Sequence, residues 1–149
     1  MTLDRQQYRA VEGRLYHYED MKAELAAFRE ENCGLRAGGL RAMPRGQALR
    51  SDPTAWGALA LAVPPPSLET AQRWIDAIDR ALARLRIQAP LLAELFSAYY
   101  QAHPSLPPGQ RVDAACRALD LDRWTFHQKR HLLVEAVYLE AVYDHLLIP

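Results

Sequence analysis

The chain has 149 residues, which suits one compact domain or a small domain with a long helical arm. Half of the residues are hydrophobic and only 7 are glycine, which excludes collagen-like, mucin-like and disordered compositions. The 18 basic residues balance the 18 acidic ones, so any attraction to DNA phosphates depends on where the charges lie.

Cysteine usage and hydropathy predict a cytoplasmic protein. Cys33 and Cys116 lack a CxxC partner and a histidine at metal-ligand spacing, so we expect unpaired thiols in a reducing compartment. The N-terminus lacks the apolar stretch of a signal peptide. The longest apolar run, residues 58–66, ends in three prolines and is too short to span a bilayer, so no membrane partner is expected.

The first segment, residues 1–32, is predicted to be a long N-terminal helix. The helical spacing covers residues 3–31, and Asn32-Cys33-Gly34 is the predicted stop. At 1.5 Å per residue, this helix forms an arm of about 40 Å. Lys22 interrupts its apolar seam. The seam follows spacings of three, four and seven and consists of Tyr8, Val11, Leu15, Tyr18, Leu25 and Phe28. Two interpretations remain open: the seam packs on the protein's own helices, or it mediates self-association.

Residues 33–50 predict a flexible basic linker. Gly34, Gly38, Gly39 and Gly46 interrupt this stretch, which contains no acidic residue. Its basic residues are Arg36, Arg41, Arg45 and Arg50. The linker is either a solvated loop or a segment that contacts phosphates.

Residues 51–104 predict a helical core. A capping sequence with proline at the first helical position, residues 51–54, starts one helix, and three prolines at 64–66 end it. A second helix runs to about residue 86, and Pro90 opens a third. The predicted core side chains are Trp74, Ile75, Ile78, Leu82, Leu85, Leu91, Leu92, Leu95, Phe96 and Tyr99. No alternation long enough for a strand occurs, so the predicted fold is all-α.

Residues 105–149 predict a helix-turn-helix unit with an extended last helix. A helix over 109–119 leads through Asp120-Leu121-Asp122 into a second helix that continues to about residue 146. Ala115 and Cys116 are small enough to let the two helices approach closely, and Phe126 faces back to the first helix. Asp120 stands where the motif usually has glycine and has to adopt a left-handed backbone. A generic two-helix corner in a bundle would show much the same pattern.

The second helix of this pair carries the predicted DNA contacts. Asp122 is a natural N-cap, and no acidic residue occurs from Arg123 to His131. The N-terminal end of such a helix enters the major groove. The predicted DNA-binding residues are Arg123, Trp124, Thr125, His127, Gln128, Lys129, Arg130 and His131.

Catalytic and metal chemistry are not expected. His127 and His131 have the spacing of a metal pair, but the intervening Gln-Lys-Arg lacks the glutamate of HExxH and places cations beside the site. Asp76 and Asp79 share a helix face that is best interpreted as solvated. No nucleotide-binding or serine-hydrolase motif occurs, so we predict neither an enzyme nor a cofactor.

In three places the chain resembles the ArpU/RinA-type phage transcriptional regulators, whose C-terminus is similar to sigma-factor region four. The first is Val-Glu-Gly-Arg-Leu-Tyr-His-Tyr at 11–18. The second is Ser-Asp-Pro-Thr-Ala at 51–55, followed by the helix with Trp74. The third is Leu-Asp-Leu-Asp-Arg-Trp-Thr-Phe at 119–126 with Lys129-Arg130. The resemblance implies a DNA-binding regulator of phage or prophage late or packaging genes.

The predicted function is therefore DNA-binding transcriptional regulation. The alternatives are a small terminase-like DNA binder of phage packaging and a helical interaction adaptor without a nucleic-acid role. Double-stranded DNA is the expected partner, and RNA polymerase and a second copy of the chain are further candidate partners.

Overall fold

The computed structural model describes residues 2–42 and 66–148, and the side chains of 2–32 and 67–148. The described residues form six α-helices and contain no strand, which confirms the predicted all-α class. The helices are α1 (Arg5–Tyr16), α2 (Tyr18–Ala42), α3 (Pro66–Gln88), α4 (Pro90–Phe96), α5 (Pro108–Leu119) and α6 (Arg123–Tyr143). A π-helical turn, Ser97–Gln101, continues α4. None of the described helices combines the length and the apolar character needed to cross a bilayer.

The predicted N-terminal helix is two helices in the structure. A capping box starts α1: Asp4 accepts a hydrogen bond from the backbone N–H of Gln7 at 2.7 Å, and the Gln7 side chain accepts one from the Asp4 N–H at 3.1 Å. The helix ends at His17, whose φ of −95° and ψ of 8° leave the helical region. Nothing in the apolar spacing marks this break, because the same periodicity resumes after it.

The second N-terminal helix also runs further than predicted. Instead of stopping at Asn32-Cys33-Gly34, α2 continues through Ala42, so the first ten residues of the predicted linker are helical. A glycine inside a helix costs only about 1 kcal/mol relative to alanine, so Gly34 by itself does not end one. The rest of that linker and the helix predicted to start at 51–54 lie outside the described residues.

The chain divides into two compact units. The first comprises residues 1–19 and 73–149, and the second comprises residues 20–72. In the second unit, Arg29 donates a hydrogen bond to the Gln72 side-chain oxygen at 2.6 Å, and Met21, Leu25 and Ala71 are buried. The first unit holds α1, most of α3 and all of α4 to α6.

The core of the first unit is built from the apolar faces of its helices. Nine of the ten predicted core side chains are buried; the exception, Leu91, is half-buried. In the π-helical turn the hydrogen bonds span five residues instead of four, as from the Ala102 N–H to the Ser97 carbonyl. Both consecutive tyrosines within it, Tyr99 and Tyr100, are buried. Further core positions are Val112, Phe126, Leu133, Val134, Val137 and Ala141.

The apolar seam of α1 is internal to this unit. Val11 and Leu15 are fully buried, and the Tyr8 ring stacks on the His131 ring of α6 with centroids 5.3 Å apart. For α1, the structure thus favours packing on the protein's own helices over self-association.

An ion-pair cluster attaches the other end of α6 to α3. Glu140 is buried, with 5% of its surface exposed, and its carboxylate lies 2.6 Å from an Arg84 nitrogen and 3.3 Å from the Arg80 Nε. Arg80 also pairs with Asp144, which caps the end of α6. The two arginines supply the charge that a buried carboxylate requires.

Candidate functional site

The α5–α6 corner consists of α5, the turn Asp120–Asp122 and the first turns of α6. Asp120 has a φ of 55° and a ψ of 50°, so it adopts the left-handed conformation expected from its place in the turn. The backbone N–H groups of Asp120 and Leu121 both donate to the Cys116 carbonyl and close the end of α5. Asp tolerates this conformation better than most residues with a side chain.

Asp122 determines where α6 begins. Its carboxylate accepts hydrogen bonds from the Thr125 backbone N–H at 3.1 Å and from the Thr125 hydroxyl at 2.5 Å. These bonds to Thr125 hold the pKa of the Asp122 carboxyl below its ordinary value, because they favour the ionised form. The predicted N-cap is therefore confirmed, and the Thr125 hydroxyl is engaged within the corner.

Small and aromatic side chains pack the inside of the corner as predicted. Ala115 and Phe126 are fully buried, and Cys116 is 8% exposed. The Phe126 ring lies edge-on to the Tyr99 ring, with centroids 5.3 Å apart. Burial raises the pKa of the Cys116 thiol, so this cysteine is a neutral packing residue rather than a reactive one.

The N-terminal face of α6, comprising Trp124, His127 and Gln128, points to solvent. Trp124 is 71% exposed, which is unusual for a side chain of its size. Gln128 lies one turn further along the same side of the helix and has no hydrogen-bond partner within the described part of the chain. Lys129 is half-buried at the edge of this face.

Arg123 is exposed but paired. Its guanidinium donates to the Asp113 carboxylate of α5 at 2.7 and 3.1 Å, and 63% and 46% of the two side chains remain accessible. Hydrogen bonding to Asp113 raises the pKa of Arg123 above its ordinary value. The pair connects the first residue of α6 to α5 across the turn.

Arg130 does not lie on the outer face of α6, where its predicted contact with DNA requires it to be, so that placement is wrong. Arg130 follows Phe126 by four residues, which places it on the buried side of α6. Its side chain is 15% exposed, donates from Nε to the Glu12 carboxylate at 2.7 Å, and has its guanidinium 5.0 Å from the centre of the Tyr99 ring. The structure therefore removes Arg130 from the exposed surface at the start of α6.

The two histidines have separate environments. His131 stacks on Tyr8, and its Nε2 lies 3.9 Å from the Glu135 carboxylate. Although His127 is exposed, partial desolvation together with the charges of Arg130 and Arg123 lowers its pKa, so His127 is neutral at pH 7. Among the side chains that the structure describes, those of 2–32 and 67–148, no three metal-ligating groups are placed to share an ion.

The sequence did not reveal the cluster behind this corner. The Arg111 guanidinium lies 5.5 Å from the centre of the Tyr16 ring and 5.8 Å from that of Tyr99, and it donates to the Pro104 carbonyl at 2.7 Å. The hydroxyls of Tyr16 and Tyr99 are hydrogen-bonded to each other at 2.5 Å. The cluster joins α1, the π-helical turn and α5, and no local pattern in the sequence indicates that these three segments meet.

The eight predicted DNA-contacting residues thus separate by location. The face exposed to solvent retains Trp124, His127 and Gln128, with Lys129 at its edge. Intramolecular contacts occupy Arg123, Thr125, Arg130 and His131. Comparisons of the chain with models of protein families, with curated proteins and with solved structures gave no significant match.

Proposed function

We propose that this protein binds double-stranded DNA through a helix-turn-helix formed by α5 and α6, and that it regulates transcription. The observation that carries the proposal is the three-residue turn, with a left-handed Asp120 and the Asp122 cap. This turn holds the exposed start of α6 on a rigid support, the buried Phe126. A major groove about 12 Å wide admits such a helix, and its first turns reach the base edges.

The charges of the corner suit a DNA contact of modest strength. Between Pro108 and His131 there are five basic and three acidic residues, a formal net charge of +2. Two of the arginines already face carboxylates of the protein. Arg111 is engaged with the Pro104 carbonyl and two tyrosine rings. Arg117 and Lys129 remain as phosphate contacts, so the salt dependence of binding is shallow, with a slope of about 2 in a log–log plot.

The regulatory part of the proposal rests on the resemblance to ArpU/RinA-type regulators. Their similarity to sigma-factor region four makes RNA polymerase a candidate partner, and the genes concerned are late or packaging genes of a phage or prophage. A two-fold dimer would place two α6 helices about 34 Å apart on a palindromic site. The dimer stays a prediction.

Duplex binding at low salt tests the proposal. The full chain is titrated into a labelled library of randomised duplexes at about 50 mM salt, and fluorescence anisotropy measures binding. Lys129→Ala is expected to weaken binding to every duplex and to lower the salt slope by about 0.9. Arg9→Ala, which removes an exposed cation from α1, is the matched control and leaves both quantities unchanged.

Two results would contradict the proposal: no binding to any duplex at this salt concentration, or identical behaviour of Lys129→Ala and Arg9→Ala. The first would favour the helical adaptor. That candidate is supported by the exposed apolar side chains Leu132, Leu139 and Tyr143 further along α6.

A further inference from the structure

Both arginines of the predicted DNA-binding set, Arg123 and Arg130, form ion pairs within the protein. A bidentate contact from arginine or lysine to guanine O6 and N7 is the commonest specific contact in the major groove. Arg123 is held by Asp113, and Arg130 is held by Glu12 behind the helix. In the free protein, both guanidinium groups at the start of α6 are therefore engaged with carboxylates of the protein.

Two hydrogen-bonding side chains, His127 and Gln128, remain exposed on this face, and only the Gln128 amide carries a donor and an acceptor on the same planar group. It is exposed and has no partner among the residues described. An amide presents one donor and one acceptor side by side, which match the adenine N7 acceptor and N6 donor. Lys129 lies about 100° around the helix and is half-buried, so it reaches a phosphate at the groove edge more readily than a base.

Trp124 adds an apolar group one turn before Gln128. The two residues are four positions apart on one side of α6, about 6 Å along its axis, which corresponds to roughly two base-pair steps. The apolar group that the major groove offers is the thymine methyl. An indole that is 71% exposed in the free protein gains from covering such a methyl.

We propose that the N-terminal face of α6 selects A·T base pairs, with Gln128 bound to the N7–N6 edge of an adenine and Trp124 against a thymine methyl one or two steps away. This inference rests on the proposed DNA-binding function. It specifies the class of site that the protein reads, and makes Gln128 and Trp124 the residues that determine specificity.

Base analogues in a selected duplex test the assignment. Full-length protein first enriches its preferred duplex from a randomised library. The adenines are then replaced one at a time by 7-deazaadenine, which lacks the N7 acceptor, and the thymines by deoxyuridine, which lacks the methyl. At one adenine, 7-deazaadenine is expected to weaken wild-type binding about fivefold or more. The same analogue leaves the binding of Gln128→Ala unchanged.

Trp124→Ala provides the second half of the test. It is expected to bind thymine and deoxyuridine duplexes equally, whereas the wild type prefers thymine at one position. Gln88→Ala, which removes an exposed glutamine at the end of α3, is the matched control and keeps the wild-type response to both analogues. Because Trp124, Gln128 and Gln88 are all exposed, thermal melts of the three variants should match the wild type.

The outcomes separate this inference from the proposed function. If no duplex is enriched or bound at low salt, DNA binding itself fails, and the inference fails with it. If duplexes are bound but Gln128→Ala alters preference at a G·C pair, the A·T assignment is overturned and DNA binding stands. The same holds if neither analogue weakens wild-type binding.

Discussion

Two arginines of α6, seven positions apart in the sequence, each pair with a carboxylate. One pair lies at the surface and the other lies inside the fold. Arg123 pairs with Asp113 at the surface, with 63% and 46% of the two side chains exposed. Arg130 pairs with Glu12 in the interior, with 15% of each side chain exposed. Water and salt screen the first pair, whereas the second depends on its partner to offset lost hydration. Arginine thus forms a solvent-exposed ion pair at position 123 and a largely buried one at position 130.

The interior pair is surrounded by tyrosines. The Tyr100 hydroxyl donates to the Glu12 carboxylate at 3.4 Å. Burial raises the pKa of Tyr100 well above its ordinary value, so Tyr100 stays neutral at pH 7. Burial alone would lower the pKa of Arg130, but its tyrosine and glutamate neighbours raise it. The Glu12 carboxylate therefore supplies the counter-charge that offsets the lost hydration of the Arg130 guanidinium.

The largest effect is expected from breaking the interior pair. Glu12→Leu leaves the Arg130 guanidinium without its counter-charge and should lower the free energy of unfolding by about 3 kcal/mol, measured by urea denaturation. Arg130→Met should have a similar cost, since it strands the carboxylate. The double variant Glu12→Leu/Arg130→Met is expected to recover most of the loss. Additive losses in the double variant would mean that the two side chains do not act as a pair.

A smaller effect is expected at the cap next to the surface pair. Asp122→Ala removes the hydrogen bonds to Thr125 and should lower Tm by less than Glu12→Leu does. The pKa of Asp122 is held below its ordinary value of 3.8, so its ionised form stabilises the fold above that pH. This stabilisation is lost as the pH falls through the folded-state pKa. Melts from pH 7 to pH 2 should therefore show the difference between wild type and Asp122→Ala narrowing below about pH 4.

Breaking the surface pair is expected to have the smallest effect on stability, but it should change duplex binding. Asp113→Asn should leave Tm unchanged within error, because exposed pairs contribute little. The change removes the negative charge that Arg123 pairs with, so duplex binding should strengthen and the salt slope should rise by about 0.9. Glu94→Gln, at an exposed acid of α4, is the control. An equal gain in binding from the control would assign the effect to net charge alone.

Local patterns in the sequence predicted the parts of the fold that depend on near neighbours. The turn at 120–122, the Asp122 cap and the buried Phe126 all depend on residues a few positions apart. The proline at position 90 marked the start of α4 for the same reason. These features follow from backbone geometry and the helical period, which the sequence contains directly.

Other features depended on contacts between residues far apart in the chain. Arg130 and Glu12 are separated by 118 positions, and no periodicity in α6 indicates that a carboxylate from α1 meets it. The break at His17 and the π-helical turn at 97–101 likewise lie inside stretches with good helical spacing. The sequence determined the all-helical class, the corner and the set of polar residues at the start of α6. Only the tertiary structure decided which of those residues stay exposed, because a cation remains at the surface or turns inward according to where a distant carboxylate lies.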